Sequence, residues 1–222
     1  MKQIALRERI EFPNKPINIY NNKVTLLPNQ LYLHLCSNRR IIRHVIDELY
    51  KHQQATTYTI SCMDGSIQSN SIVQTFTQLL IKLRQIANGD FEFNDQVVNT
   101  ILIHNLTAFY WDLIIVDKFN YQQLGFDNIL RPPQFYYLNL FRILQVIVTK
   151  YNCNVVVTAY DIVFNNGIKE NIAPVRDTSL QRYTKLDPSF VLHFDQILHI
   201  DNIQALQSFN KQTAQWIDIN AS

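Results

Sequence analysis

Two hydrophobic periods alternate along the chain, one of strands and one of helices. LYLHLC at Leu31–Cys36 is apolar almost throughout, and Ile42, Val45, Ile46 and Leu49 follow at helical spacing. This predicts a strand over 30–36 and a helix over 39–53. TTYTISC (56–62) is β-branched and aromatic, a strand closed by the turn Met63-Asp64-Gly65-Ser66. Ile72, Phe76, Leu79, Leu80 and Leu83 make the apolar stripe of a helix predicted over 70–87, stopped near Asn88-Gly89. VVNTILIHNL (97–106) is a continuous apolar run, as in a central strand buried on both faces. A helix over 134–150 aligns Tyr137, Leu140, Phe141, Leu144 and Val148, and NVVVTAY (154–160) reads as another buried strand. A polar segment, 161–188, separates it from QILHID (196–201), and WIDIN (216–220) closes a terminal hairpin.

Strands alternating with helices predict an α/β fold: a mostly parallel sheet flanked by helices, with antiparallel strands at the C-terminal end. Residues 1–30 differ. They carry Pro13, Pro16 and Pro28 and the alternating patches IALRERIEF and VTLLP. They read as an N-terminal arm with one or two edge strands, which leaves 31–222 as the core domain.

With 222 residues, 47% hydrophobic and 17% charged, the chain can bury a sizeable core. Four glycines are few for an enzyme that grips phosphate with its backbone. The formal net charge of +2, without a long run of one sign, neither announces nor excludes a nucleic-acid binder. Cys36, Cys62 and Cys153 are odd in number, far apart and set in apolar strands, which predicts reduced, buried thiols and no zinc site or other metal site. No signal pattern or apolar run of membrane-spanning length occurs, so a soluble intracellular protein is expected.

LYLHLCSNRRIIRHV has the strand–loop–helix layout in which α/β proteins cradle phosphate. A phosphate loop needs curled backbone N–H groups, a lysine and a hydroxyl for magnesium. Between Leu35 and Ile41 there are only Cys36, Ser37, Asn38, Arg39 and Arg40, with Ser37 or Asn38 suited to capping the helix. Arg39, Arg40 and Arg43 oppose the helix dipole there, at ~0.3–1 kcal/mol each. They either face solvent or bind an anion or acidic partner. His104 ends the central strand where an ATPase would place a magnesium-organising acid, and reads as a hydrogen-bonded structural residue. Asp112 and Asp117 read as solvated or capping groups. Neither G-x-S-x-G, H-x-x-x-H nor C-x-x-C occurs. Segment 161–188 is long for a connection and carries Lys169, Arg176, Arg182 and Lys185, with Tyr183 between the last two. Cations beside an aromatic ring suit phosphate contact with base stacking on a single strand. Glu170, Asp177 and Asp187 offset that charge, and taken alone the segment also fits a solvated loop.

ILIHNLTAFYWD, a long helix ending ILQVIVTKYNC, and NVVVTAYD together resemble the core of the RecA-like recombinase paralogues. FNNGIKEN followed by TKLDPSFVLHFDQILHID is most similar to the Psy-type subunit of the yeast Shu complex. The resemblance covers roughly residues 30–220. It implies a RecA-like fold with a degenerate nucleotide site, no cofactor and no catalysis. It also implies a nuclear heterodimer with a second RecA-like paralogue within a larger complex, which binds single-stranded or forked DNA and no membrane. Such a complex promotes recombinase filament assembly in homologous recombination and error-free repair. DNA contact would fall on Lys169, Arg176, Arg182, Tyr183 and Lys185. The family's loop is more densely basic than this one, which implies weaker affinity or a contact shared with the partner. The rival readings are a RecA-like protein-interaction scaffold without DNA contact and a divergent DNA-dependent ATPase.

Overall fold

The computed structural model describes residues 16–51, 56–65, 67–90, 98–110, 113, 133–161, 184, 186, 188–202 and 204–219. Its centre is strand β3 (Leu31–Cys36), buried along its whole length. β3 pairs in parallel with β7 (Asn154–Tyr160) on one side and with β8 (Gln196–Asn202) on the other. Beyond β7 lie β6 (Val98–His104), β4 (Thr56–Cys62) and β5 (Ser71–Val73), all parallel. Beyond β8 lie β9 (Ala205–Asn210) and β10 (Gln215–Asp218), both antiparallel to their neighbours. The order β10-β9-β8-β3-β7-β6-β4-β5 is the mostly parallel sheet with an antiparallel C-terminal end that the periodicity requires.

Each strand's alternation splits the core in two. Leu31, Leu33 and Leu35 face helices α2 (Phe76–Asn88) and α3 (Pro133–Tyr151), together with Phe190 and Val191 of the one-turn helix α4 (Pro188–Val191). Tyr32 and Cys36 face the opposite way, against Ile41, Ile42, Val45, Ile46 and Leu49 of α1 (Arg39–Lys51). The same face receives a separate two-stranded sheet, β1 (Ile17–Ile19) with β2 (Val24–Leu26). Those N-terminal strands pair with each other and not with an edge of the main sheet. Their residues Ile17, Ile19, Val24 and Leu26 are buried in one cluster with residues of α1, β3 and β8. Cys36, Cys62 and Cys153 are buried free thiols, and burial pushes each above its ordinary pKa, Cys153 to about 12.

The predicted helix over 70–87 is a strand followed by a shorter helix. Ser71–Val73 pairs with β4 as the edge strand β5, so Ile72 points outward at 53% exposure while Phe76, Leu79, Leu80 and Leu83 are buried. Thr75 stops the strand and starts α2: its Oγ1 accepts from Gln78 N at 3.1 Å, satisfying one of the helix's free N–H groups. Gly89 ends α2 in the left-handed region at φ 87°, a conformation that favours glycine. The five aligned residues of the 134–150 helix are all buried. The hairpin that closes the sheet is β9 with β10, and the sequence pattern does not announce β9 as a strand.

Candidate functional site

Six parallel strands, β3 to β8, end at one edge of the sheet. From β3 the chain crosses to β4 on the β7 side, whereas from β7 it crosses over β3 to β8. The strand order therefore reverses at β3, the point at which open α/β sheets bind ligands.

Only Ser37 and Asn38 separate β3 from α1. Asn38 is the N-cap: its Oδ1 accepts from Ile41 N at 3.1 Å and its carbonyl accepts from Ile42 N at 3.2 Å. Ser37 is tied to β8, with its N–H donating to Ile200 O at 3.2 Å and its Oγ to Asp201 O at 3.4 Å. The corner's polar groups are spent on capping and on the neighbouring strand, the ordinary strand–helix corner that the sequence suggested. Arg39 is exposed, with its guanidinium close enough to the Tyr160 hydroxyl at the end of β7 to act on its titration. Burial raises the Tyr160 pKa, against the pull of that guanidinium and with the Asp64 carboxylate adding to the rise. Arg40 and Arg43 are exposed.

His104, at the end of β6, is 1% exposed. Its Nδ1 lies 3.1 Å from Thr158 Oγ1 and its Nε2 lies 3.4 Å from Asp64 Oδ2. Thr158 Oγ1 also accepts from Asn105 N at 3.0 Å. The Asp64 carboxylate only accepts, which assigns the imidazole proton to Nε2 and leaves Nδ1 to accept from the Thr158 hydroxyl. Burial lowers the His104 pKa, with the Asp64 bond opposing, so the ring is neutral at physiological pH. Aspartate, imidazole and hydroxyl are connected as in a hydrolytic triad, but Thr158 is 0% exposed and no substrate reaches its oxygen. His104 is thus the hydrogen-bonded structural residue expected of it.

A second pair lies across β3. Asp161 donates its N–H to Cys36 O at 3.0 Å, and its Oδ2 lies 3.3 Å from His199 Nε2 on β8. Asp161 is the first residue of the long polar segment. Near that segment's other end Thr184 and Leu186 are buried, and Thr184 Oγ1 accepts from Leu186 N at 3.0 Å. Lys169, Arg176, Arg182, Tyr183 and Lys185 lie outside the described residues, as do Asp112 and Asp117. Asp64, Tyr160, Asp161 and His199 were not singled out from sequence. Tyr160 and Asp161 are consecutive, but no spacing rule links that pair to Asp64 or His199, because sheet order brings the three segments to one edge. Among the described residues no group of three or more His, Cys, Asp or Glu is placed to hold a metal ion, and no helix is long and apolar enough to cross a membrane.

No curated protein sequence matches the chain. Among solved structures, an ATPase domain aligns with a TM-score of 0.47 and 9% identity, covering 83% of this chain and 77% of that one. The family model of the Shu complex component Psy3, whose description includes DNA binding, matches residues 23–203. That span runs from β2 to the end of β8 and takes in the whole parallel sheet with all four described α-helices. By this match over most of its length, the chain belongs to the family of the Shu complex component Psy3.

Proposed function

We propose that this chain is a non-catalytic, RecA-like subunit of a nuclear Shu-type complex. It pairs with a second RecA-like paralogue, the pair grips single-stranded or forked DNA, and the assembly promotes recombinase filament formation in homologous recombination and error-free repair. Membership of the Psy3 family, with its DNA-binding description, is the observation that carries the reading. The site geometry supports its non-catalytic part. Where the strand order reverses, a two-residue corner is bonded to β8, and His104, Thr158 and Asp64 satisfy one another.

Lys169, Arg176, Arg182 and Lys185 supply the phosphate contacts, and Tyr183 stacks on a base. For a single strand, log K falls with log salt by about 0.7 per phosphate neutralised. Replacing the four cations by alanine in the reconstituted pair flattens that slope; an unchanged slope sinks the loop assignment. The scaffold reading draws on half-exposed Ile72, Ile81 and Ile217 and predicts no DNA shift by the pair even at low salt. The ATPase reading predicts magnesium-dependent ATP binding. The expected result is none, because nothing in the 36–40 corner can wrap a triphosphate.

A further inference from the structure

Helices α2 and α3 lie side by side on one face of the sheet. Lys150 Nζ donates to Ala87 O at 2.8 Å and the Tyr151 hydroxyl donates to Ile86 O at 2.7 Å, which ties their C-terminal turns together. Between them the two helices carry Lys82, Arg84, Arg142 and Lys150, and neither contains an Asp or Glu. Their combined charge of +4 exceeds the +2 of the entire chain, so the rest of the sequence is net acidic. Helix α1, on the other face, mixes Arg39, Arg40 and Arg43 with Asp47 and Glu48.

Arg142, Gln145, Val146, Thr149 and Lys150 line an open groove. Their spacing of three and four residues puts them on one stripe of α3, about 12 Å long at 1.5 Å per residue. Arg142, Gln145 and Lys150 are hydrogen-bond donors of the kinds that contact phosphate and sugar, whereas the Thr149 hydroxyl donates to Gln145 O at 2.9 Å within the helix. Arg84 and Arg142 are exposed. A strand of duplex DNA rises about 3.4 Å per phosphate, so the stripe spans roughly three phosphates. No aromatic ring lies on it, although binding of unpaired strands relies on stacking. Cations beside an amide donor, without rings, are suited to the backbone of a duplex. Val146 and Ile81 are single apolar side chains of a sort common on any surface.

We infer that the α2–α3 face is a second nucleic-acid contact, holding the phosphate backbone of duplex DNA while the long polar segment engages the unpaired strand. The inference rests on the DNA-binding reading above, and one experiment separates the two. The reconstituted pair is titrated with salt on a labelled random-sequence duplex and on a single strand of equal length. Four forms of this chain are compared: wild type; a face variant with Arg84→Gln and Arg142→Gln; the four-alanine segment variant; and a control with Lys23→Gln and Lys211→Gln, exposed lysines elsewhere on the molecule. Lys82 is left in place because it lines a separate groove with Ile72 and Val73. Lys150 is kept because it closes the end of α2. An unchanged urea midpoint shows that each variant folds.

The face variant loses about 2 from the duplex slope, near 0.9 per phosphate, while its single-strand slope and the control's slopes stay put. A wild type that binds neither probe overturns the DNA reading and this inference together. A face variant with the wild-type duplex slope, beside a segment variant that has lost its single-strand slope, overturns this inference alone. An equal loss in the control also overturns it, since net charge would then be the cause. Release of a co-purified chain with the duplex slope unchanged assigns the face to a protein, which overturns it too.

Discussion

His34 makes the fold sensitive to acid. It sits in the middle of β3, paired with Thr158 of β7 and Leu198 of β8, and is 0% exposed. Its Nδ1 lies 3.2 Å from the Tyr20 hydroxyl, and its Nε2 has no hydrogen-bond partner among the described residues. Around it are Tyr20, Cys36 and, through the bond from Tyr20 N, Glu48. Burial holds its pKa at about 3, against an ordinary value near 6.5. The unfolded chain therefore takes up a proton below about pH 6.5 that the folded chain refuses until about pH 3. Stability present above pH 6.5 is lost as the pH falls through that window, at about 1.4 kcal/mol per pH unit. By pH 5 the loss is about 2 kcal/mol, or roughly 4–8 °C in Tm for a chain of this size. His34→Gln keeps an acceptor for the Tyr20 hydroxyl but does not titrate. Urea unfolding of both proteins, followed by tryptophan fluorescence at about pH 7.5 and about pH 5, isolates the effect, because His104 and the carboxylates titrate alike in both. The stability gap between wild type and variant shifts by about 2 kcal/mol in the variant's favour at the lower pH. Parallel pH profiles for the two proteins would refute the argument.

Two further predictions concern the sheet edge. Asn38→Ala removes the cap of α1 and costs about 1 kcal/mol, read from urea midpoints; a neutral result would mean that Ser37 or water takes over the Ile41 N–H. Thr158→Val leaves His104 Nδ1 and the Asn105 N–H without their shared oxygen in a buried place. It costs about 2–4 kcal/mol, and a loss below about 1 kcal/mol would show that the network is not held through that hydroxyl.

The sequence pattern located the central strands well, because a strand buried on both faces reads as a continuous apolar run. NVVVTAY is bounded in the structure where its composition bounds it. Sheet edges were harder. Ile72 stands four residues before Phe76, so a three-residue edge strand passed for the first turn of a helix until Thr75 showed its capping bond. In β9 the buried residues Leu206 and Phe209 lie three apart, and the ladder to β8 is shifted between Ile200 and Asn202. The two-residue rhythm that announces a strand is broken there. At the candidate site, His104 could be found because it ends a strand whose run is unmistakable. Asp64, His199 and the adjacent Tyr160 and Asp161 come from three separate segments, and only the strand order makes those segments neighbours.

That strand order also bears on how the chain is made. β3 ends at Cys36, yet its two hydrogen-bonding neighbours begin at Asn154 and Gln196. At about 5–20 residues per second, a ribosome needs on the order of ten seconds to bring even the first of them out. Throughout that interval LYLHLC has both its backbone edges unpaired and its leucines in water. The central strand of the finished sheet is thus the segment of the nascent protein most in need of a chaperone, and its exposure ends only when the last parallel strand has left the exit tunnel.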